Sequence, residues 1–178
     1  MPYGVLVKLL KYVLISIVFF SFHSFSKESE IPQNVVAKFL SNMKNKNYYQ
    51  ASGYITDSDL TWLTKSTKPL LNNQEFLEMH GLENFNKDEI EEFNKNDIFE
   101  LWSYIVWEFR DKNFGSYDPK NILGSIKENE NIAHVIVRDI TNQEHEAVVY
   151  TLELEKQKWR LKLPRIIKAS LTIFQKSF

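Results

Sequence analysis

Histidines are the first residues to weigh for chemistry in a chain that has no cysteine, and there are four: His23, His80, His134 and His145. Without cysteine there is no disulfide, no thiolate nucleophile and no sulfur-ligated metal. No two histidines stand at metal-ligand spacing on one helix. Glu144-His145-Glu146 lacks the second histidine four residues away that a zinc-protease helix needs, and it reads as a polar turn. The five glycines are scattered, and no nucleophile elbow, phosphate loop or dinucleotide fingerprint appears. No catalytic residue, metal ligand or cofactor is therefore assigned. One acid–base arrangement stays open: His134 alternates with Ile132 and Ile136, and on a cavity face it could pair with Asp111 or Glu108. On the outer face, or as a satisfied core residue, the same histidine would do no chemistry.

Binding residues fall into two sets. Trp62, Trp102, Tyr104, Trp107, His134 and Tyr150 are candidates to line an apolar pocket, since such sites are mostly hydrophobic with few polar groups. Ordinary core packing accounts for the same aromatics. Charge supplies the second set. Residues 75–100 hold nine acidic groups against Lys87 and Lys95, whereas 156–178 hold seven basic groups and no acid. Arg160, Lys162, Arg165 and Lys168 form a candidate surface for an acidic partner or for anionic headgroups, unless both runs are simply solvated faces. A terminal helix with Arg165 and Lys168 beside Ile166 and Ile167 could touch a membrane surface.

These residues need elements to position them, and the clearest lie between Ile122 and Leu163. Val148, Tyr150, Leu152 and Leu154 alternate with Ala147, Val149, Thr151, Glu153 and Glu155, the two-residue period of a strand with one buried face. Trp159, Leu161 and Leu163 continue that alternation beyond the polar turn 155–158. The stretches 122–127 and 132–139 add two more strands, joined by 128–131, with a further turn at 139–145. Short polar turns imply antiparallel hairpins, because parallel strands need long crossovers.

Helices precede the meander. Pro32 opens one carrying Val36, Phe39, Leu40 and Met43 at helical spacing, weakened at Asn45-Lys46-Asn47. A second is expected from a cap at Asp57 or Ser58, with Leu60 and Leu63 inward, ending at Pro69. Residues 72–96 read as an acidic loop with one or two helical turns, one supported by the Asn86/Glu89 capping-box spacing. Asp97 to Asp111 reads as the long buried helix, with Ile98, Leu101, Trp102, Ile105 and Phe109 on its inner stripe. Pro164 opens a short final helix with Ile167, Leu171, Phe174 and Phe178 on one face. The expected fold is α+β: N-terminal helices packed on a curved antiparallel sheet of about four strands, with a short C-terminal helix.

Composition and the amino terminus set the context. The chain has 178 residues, 43% hydrophobic and 25% charged, with a net charge of −1, which suits one domain with one core. Residues 1–26 resemble a signal peptide: Lys8 and Lys11 precede the apolar run 12–22, and Ser24-Phe25-Ser26 offers small residues for cleavage. That run is about half the ~20 residues a spanning helix needs, so export is favoured over an N-terminal membrane anchor. Residues 27–178 then form a single domain in the periplasm or secreted outside. Nucleic acid is excluded as a partner by export and by the negative charge of that domain.

Asn34-Val35-Val36-Ala37-Lys38-Phe39-Leu40, the following Asn47-Tyr48-Tyr49-Gln50-Ala51, and the late strands Glu146 to Glu155 and Lys158-Trp159-Arg160-Leu161-Lys162-Leu163 together resemble the nuclear-transport-factor-2-like (cystatin-like) superfamily in its secreted bacterial form. The resemblance covers most of residues 27–178. It implies a cone-shaped α+β fold with a cavity between helix and sheet, and no single activity. Members that abstract protons or dehydrate substrates would use a His–carboxylate pair, placed here at His134. A narrower similarity joins Trp159, Ser170, Leu171, Phe174 and Lys176 to Mla-type periplasmic phospholipid carriers, although Leu163 stands where those carriers have an Asp. The function expected is an exported, non-catalytic binding or interaction module of the bacterial envelope, its partner an envelope protein or an apolar small molecule. Carriage of a lipid is the first alternative and a small hydrolyase or isomerase the second.

Overall fold

The computed structural model describes residues 30–84, 86–108, 118–138 and 147–177. Residues 1–26, expected to be a signal peptide, lie outside the described residues, as do His145, Phe109, Asp111 and Phe178 and the side chains of Trp107, Glu108 and Ile166. Seven α-helices are described: α1 Pro32–Lys44, α2 Tyr48–Ser52, α3 Asp57–Leu71, α4 Gln74–Met79, α5 Lys87–Glu92, α6 Lys95–Ser103 and α7 Arg165–Ser177. A π-helical turn, Tyr104–Glu108, extends α6. Between α6 and α7 stand strands β1 Ile122–Lys127, β2 Ile132–Arg138, β3 Ala147–Glu155 and β4 Lys158–Leu161. They pair antiparallel in the order 1-2-3-4, so the chain is α+β with the expected meander.

Alternation decides which face of the sheet meets the helices. Ala133, Val135 and Val137 of β2, Tyr150 and Leu152 of β3, and Trp159 and Leu161 of β4 are buried. α1 lies across this face with Val35, Val36, Phe39 and Leu40 fully or almost fully buried. Phe39 meets Tyr150 of the sheet at a centroid distance of 6.2 Å and Phe99 of α6 at 6.5 Å, so one ring joins both layers. The free edge of β4 is met at its end: Leu161 donates its N–H to Tyr54 O (2.7 Å) and accepts from Thr56 N–H (2.9 Å). The Leu161 amide and carbonyl on that edge are thereby satisfied by the segment linking α2 to α3.

Several helix boundaries differ from the sequence reading. Thr56, not Asp57 or Ser58, caps α3, its hydroxyl accepting from the Asp59 N–H. Asp57 and Asp59 then fall in the first turn, where the helix dipole favours acids. Pro69 does not end α3, which continues to Leu71. So close to the carboxyl end, the ring's missing N–H removes a single hydrogen bond. The acidic stretch is more ordered than a loop. The expected Asn86/Glu89 capping box starts α5, and a second box, Asn94 with Asp97, starts α6 two residues earlier than the apolar stripe suggests. Leu163 is buried but lies beyond the last strand.

The β3–β4 hairpin turns on Lys156 (φ 48°) and Gln157 (φ 63°), the paired positive φ of a two-residue type I′ turn. Neither is glycine or asparagine, so Cβ strain is held there. Gln157→Gly is expected to raise stability by about 0.5–1 kcal/mol, the strain relieved exceeding the added chain entropy. Urea unfolding checks this, and an unchanged or lowered midpoint would show the turn to be unstrained.

Candidate functional site

His134 does share a face with Ile132 and Ile136, but it is the face turned away from the helices. Its ring bridges two neighbours: Nε2 lies 2.8 Å from Glu128 Oε2, and Nδ1 lies 3.1 Å from Thr151 Oγ1. Hydroxyl, imidazole and carboxylate in sequence are the parts of a proton relay. Their setting is an open strand surface, with the His134 and Glu128 side chains 29% and 58% exposed. Around them stand Ile126 and Val149, both exposed. Among the described residues nothing there encloses a substrate or shields the pair from water, as a closed acid–base site would. The contact is accounted for as a cross-strand polar pair, His134 standing opposite Thr151 in the ladder.

The aromatic candidates do not converge. Trp102 is fully buried between Phe76 (6.1 Å) and Phe174 (5.5 Å), and its indole N–H donates to the Thr67 hydroxyl. Tyr150 is buried against Phe39 on the sheet. Trp62 sits on the outside of α3 under the Lys168 ammonium, 5.6 Å from the ring centroid. Tyr104 is 55% exposed. With His134 on the outer face, the five described members of the expected pocket occupy the core, the helical surface and the back of the sheet. Periodicity tells which face a residue shares; it does not tell whether two facing layers leave a void.

The basic candidates also divide. Lys162 pairs with Glu153 at 3.0 Å, and this hydrogen bond holds its ammonium pKa above the ordinary lysine value. Lys168 pairs with Asp59 at 2.9 Å. Burial alone would raise the Asp59 carboxyl. The hydrogen bond from Leu163 N–H, with Lys168 in contact and Lys162 nearby, outweighs burial and holds it below the usual carboxylate range. Both lysines therefore serve the fold. Arg165 is exposed at the start of α7 and makes no ion pair among the described residues.

Arg160 belongs to a different place. It lines an open cleft of about 740 Å³, whose floor includes Ser52, Ile55 and Leu60. One wall is the start of α6, with Lys95 and Asn96, and the other is the β3–β4 hairpin, with Glu155, Lys156, Lys158 and Arg160. The acids present are engaged: Asp57 pairs with Lys95, and Glu155 Oε2 accepts the Asp57 N–H at 3.3 Å. Lys156, Lys158 and Arg160 have no ion-pair partner among the described residues. Sequence reasoning found only Arg160 of this group. The spacing of Lys158 and Arg160 marks one strand face, but the arrival of Lys95 from more than 60 positions away carries no local signal. Among the described residues no three histidine or carboxylate groups gather to hold a metal, and no helix is long and apolar enough to cross a membrane. Comparison of the chain with family models, with curated proteins and with solved structures finds no match.

Proposed function

We propose that this chain is a non-catalytic binding module of the bacterial envelope whose cleft receives an acidic segment of a partner protein. The observation that carries the reading is the trio Lys156, Lys158 and Arg160 on one cleft wall, which form no ion pair among the described residues, while Lys95 on the facing wall is paired with Asp57. Uncompensated cations in a concave site attract carboxylates and speed their encounter. The leader-like character of residues 1–26 supports export, and the helix-then-meander order supports the resemblance to the nuclear-transport-factor-2-like superfamily. Carriage of an apolar ligand gains no support from Trp102 and Tyr150, whose rings are spent on core contacts.

Titration of the full chain with a glutamate-rich peptide and with a charge-neutral peptide of equal length tests this by calorimetry. Selective binding of the acidic peptide, weakening as salt is raised, is expected. Lys156→Glu with Lys158→Glu should weaken it about tenfold, since each exposed charge contributes up to about 1 kcal/mol. Equal affinity for both peptides, or indifference to the charge reversals, would overturn the proposal.

A further inference from the structure

His80 follows α4 directly and is absorbed by neither the fold's ion pairs nor the cleft. Its ring is 4.6 Å from Phe76 and meets Phe174 of α7 edge-on at 4.9 Å. Phe174 also contacts Phe76 (5.6 Å) and Trp102 (5.5 Å), so four rings from α4, α6, α7 and the α4 cap form one cluster. Within it the His80 Nε2 atom is buried and has no hydrogen-bond partner among the described residues. An imidazole in that state is an aromatic spacer. Protonated, it would place a cation against apolar rings with an N–H directed at nothing.

We propose that His80 is a proton-operated release for the carboxy-terminal helix: protonation of the imidazole drives Phe174 out of the ring cluster and loosens the second half of α7. Two independent contacts hold the first half. Ile167 and Leu171 are fully buried, and Lys168 is held by Asp59. Among the described residues, the second half is held by Phe174 and by one hydrogen bond to another element, from Gln175 to Ser66 O (3.1 Å).

Charged groups on the packed elements do not shield the imidazole. On α4, Glu75 is exposed and Glu78 accepts from Gln74. On α6, Glu100 is exposed and Asp97 caps its own helix. On α3, Lys65 and Lys68 are exposed and Asp59 holds Lys168, while Lys176 of α7 is exposed. Burial is accordingly what holds the His80 pKa below its ordinary value of 6.5. A lowered folded-state pKa for histidine means that the contribution is complete above about 6.5 and is lost as pH falls below it. Asp59, with a folded pKa below 3.8, stays ionised through that window, so the Lys168 anchor is retained.

The test is amide hydrogen exchange of the full chain at pH 7.5 and pH 5.0, corrected for intrinsic exchange rates and followed peptide by peptide. The expected result is that opening of α7 rises on the order of tenfold at pH 5.0 while peptides from β2 and β3 keep their protection. In His80→Phe, which keeps a ring but cannot be protonated, the rise in α7 should vanish. Should that variant fail to fold, His80→Gln gives the same comparison. No pH-dependent rise in α7, a rise spread equally over the sheet, or a rise that survives in the variant would each overturn the proposal.

Discussion

Trp102→Ala is expected to lower the unfolding free energy by about 3–5 kcal/mol, the range for deleting a large aromatic from a packed interior. Trp102 lies on α6 and is fully buried, with Phe76 of α4 and Phe174 of α7 against its ring. Alanine would leave a cavity bordered by three helices, none of which can close it without moving the others. A second loss adds to the first. The indole N–H donates to the Thr67 hydroxyl on α3, and that buried oxygen would lose its partner. Trp102→Phe separates the two effects, since it keeps most of the volume and removes only the donor, at an expected cost of about 1–2 kcal/mol. Trp62→Ala is the control: that ring is 38% exposed, so less than about 1 kcal/mol is expected. Urea unfolding of the three variants, read at constant slope, provides the comparison. Similar costs at Trp102 and Trp62 would mean that the four-ring cluster does not hold the helices together.

Trp102 also marks what could be read from the sequence. That its helix buries an apolar face was legible from apolar residues at helical spacing, and Ile98 and Trp102 lie on that face. The face is turned from the expected stripe, however: Phe99, Ser103 and Val106 are buried, whereas Leu101 and Ile105 are only partly so. The four strands were legible for a parallel reason: the two-residue alternation of 147–155 and the polar turns at 128–131 and 155–158 fix pairing with little choice of register. Helix ends were less so. Thr56 and Asp57 are both good caps, and only the chain's direction of entry from the β4 edge decides between them. The functional residues were least legible. Pattern placed His134 with Ile132 and Ile136 but could not say that helices would cover the opposite face. Lys162 and Lys168 looked like a free basic surface, yet Glu153 and Asp59 take them up. Their partners lie nine and 109 positions away, the first across a hairpin and the second across the whole domain. Charge runs report composition along the chain, whereas a binding surface is what remains after distant groups have paired.

Asp59 gives the second large effect, and nothing in its neighbourhood of sequence announces it. As an acid in the first turn of α3 it resembles an ordinary complement to the helix dipole. In the fold it is only 6% exposed, accepts the Leu163 N–H at 2.7 Å through Oδ2, and pairs through Oδ1 with Lys168. One carboxylate thus ties the start of α3 to the chain leaving β4 and to α7. Asp59→Ala is expected to cost about 2–3 kcal/mol. Most of this comes from the Leu163 amide left buried without an acceptor; Lys168 is exposed enough for water to replace much of its lost partner. Asp59→Asn retains an acceptor and should cost about 1 kcal/mol at neutral pH. The two also differ in their response to acid. Asp59's folded pKa is held below its ordinary value of 3.8, so its contribution is present above that value and disappears as pH falls through the folded one. Wild-type stability should therefore fall more steeply than that of Asp59→Asn between about pH 4 and pH 2, and the two should converge at the acid end. Urea midpoints measured across that range decide the matter. Parallel acid limbs would show that the carboxylate does not hold the junction as an ion, and that Leu163 and α7 are kept in place by packing alone.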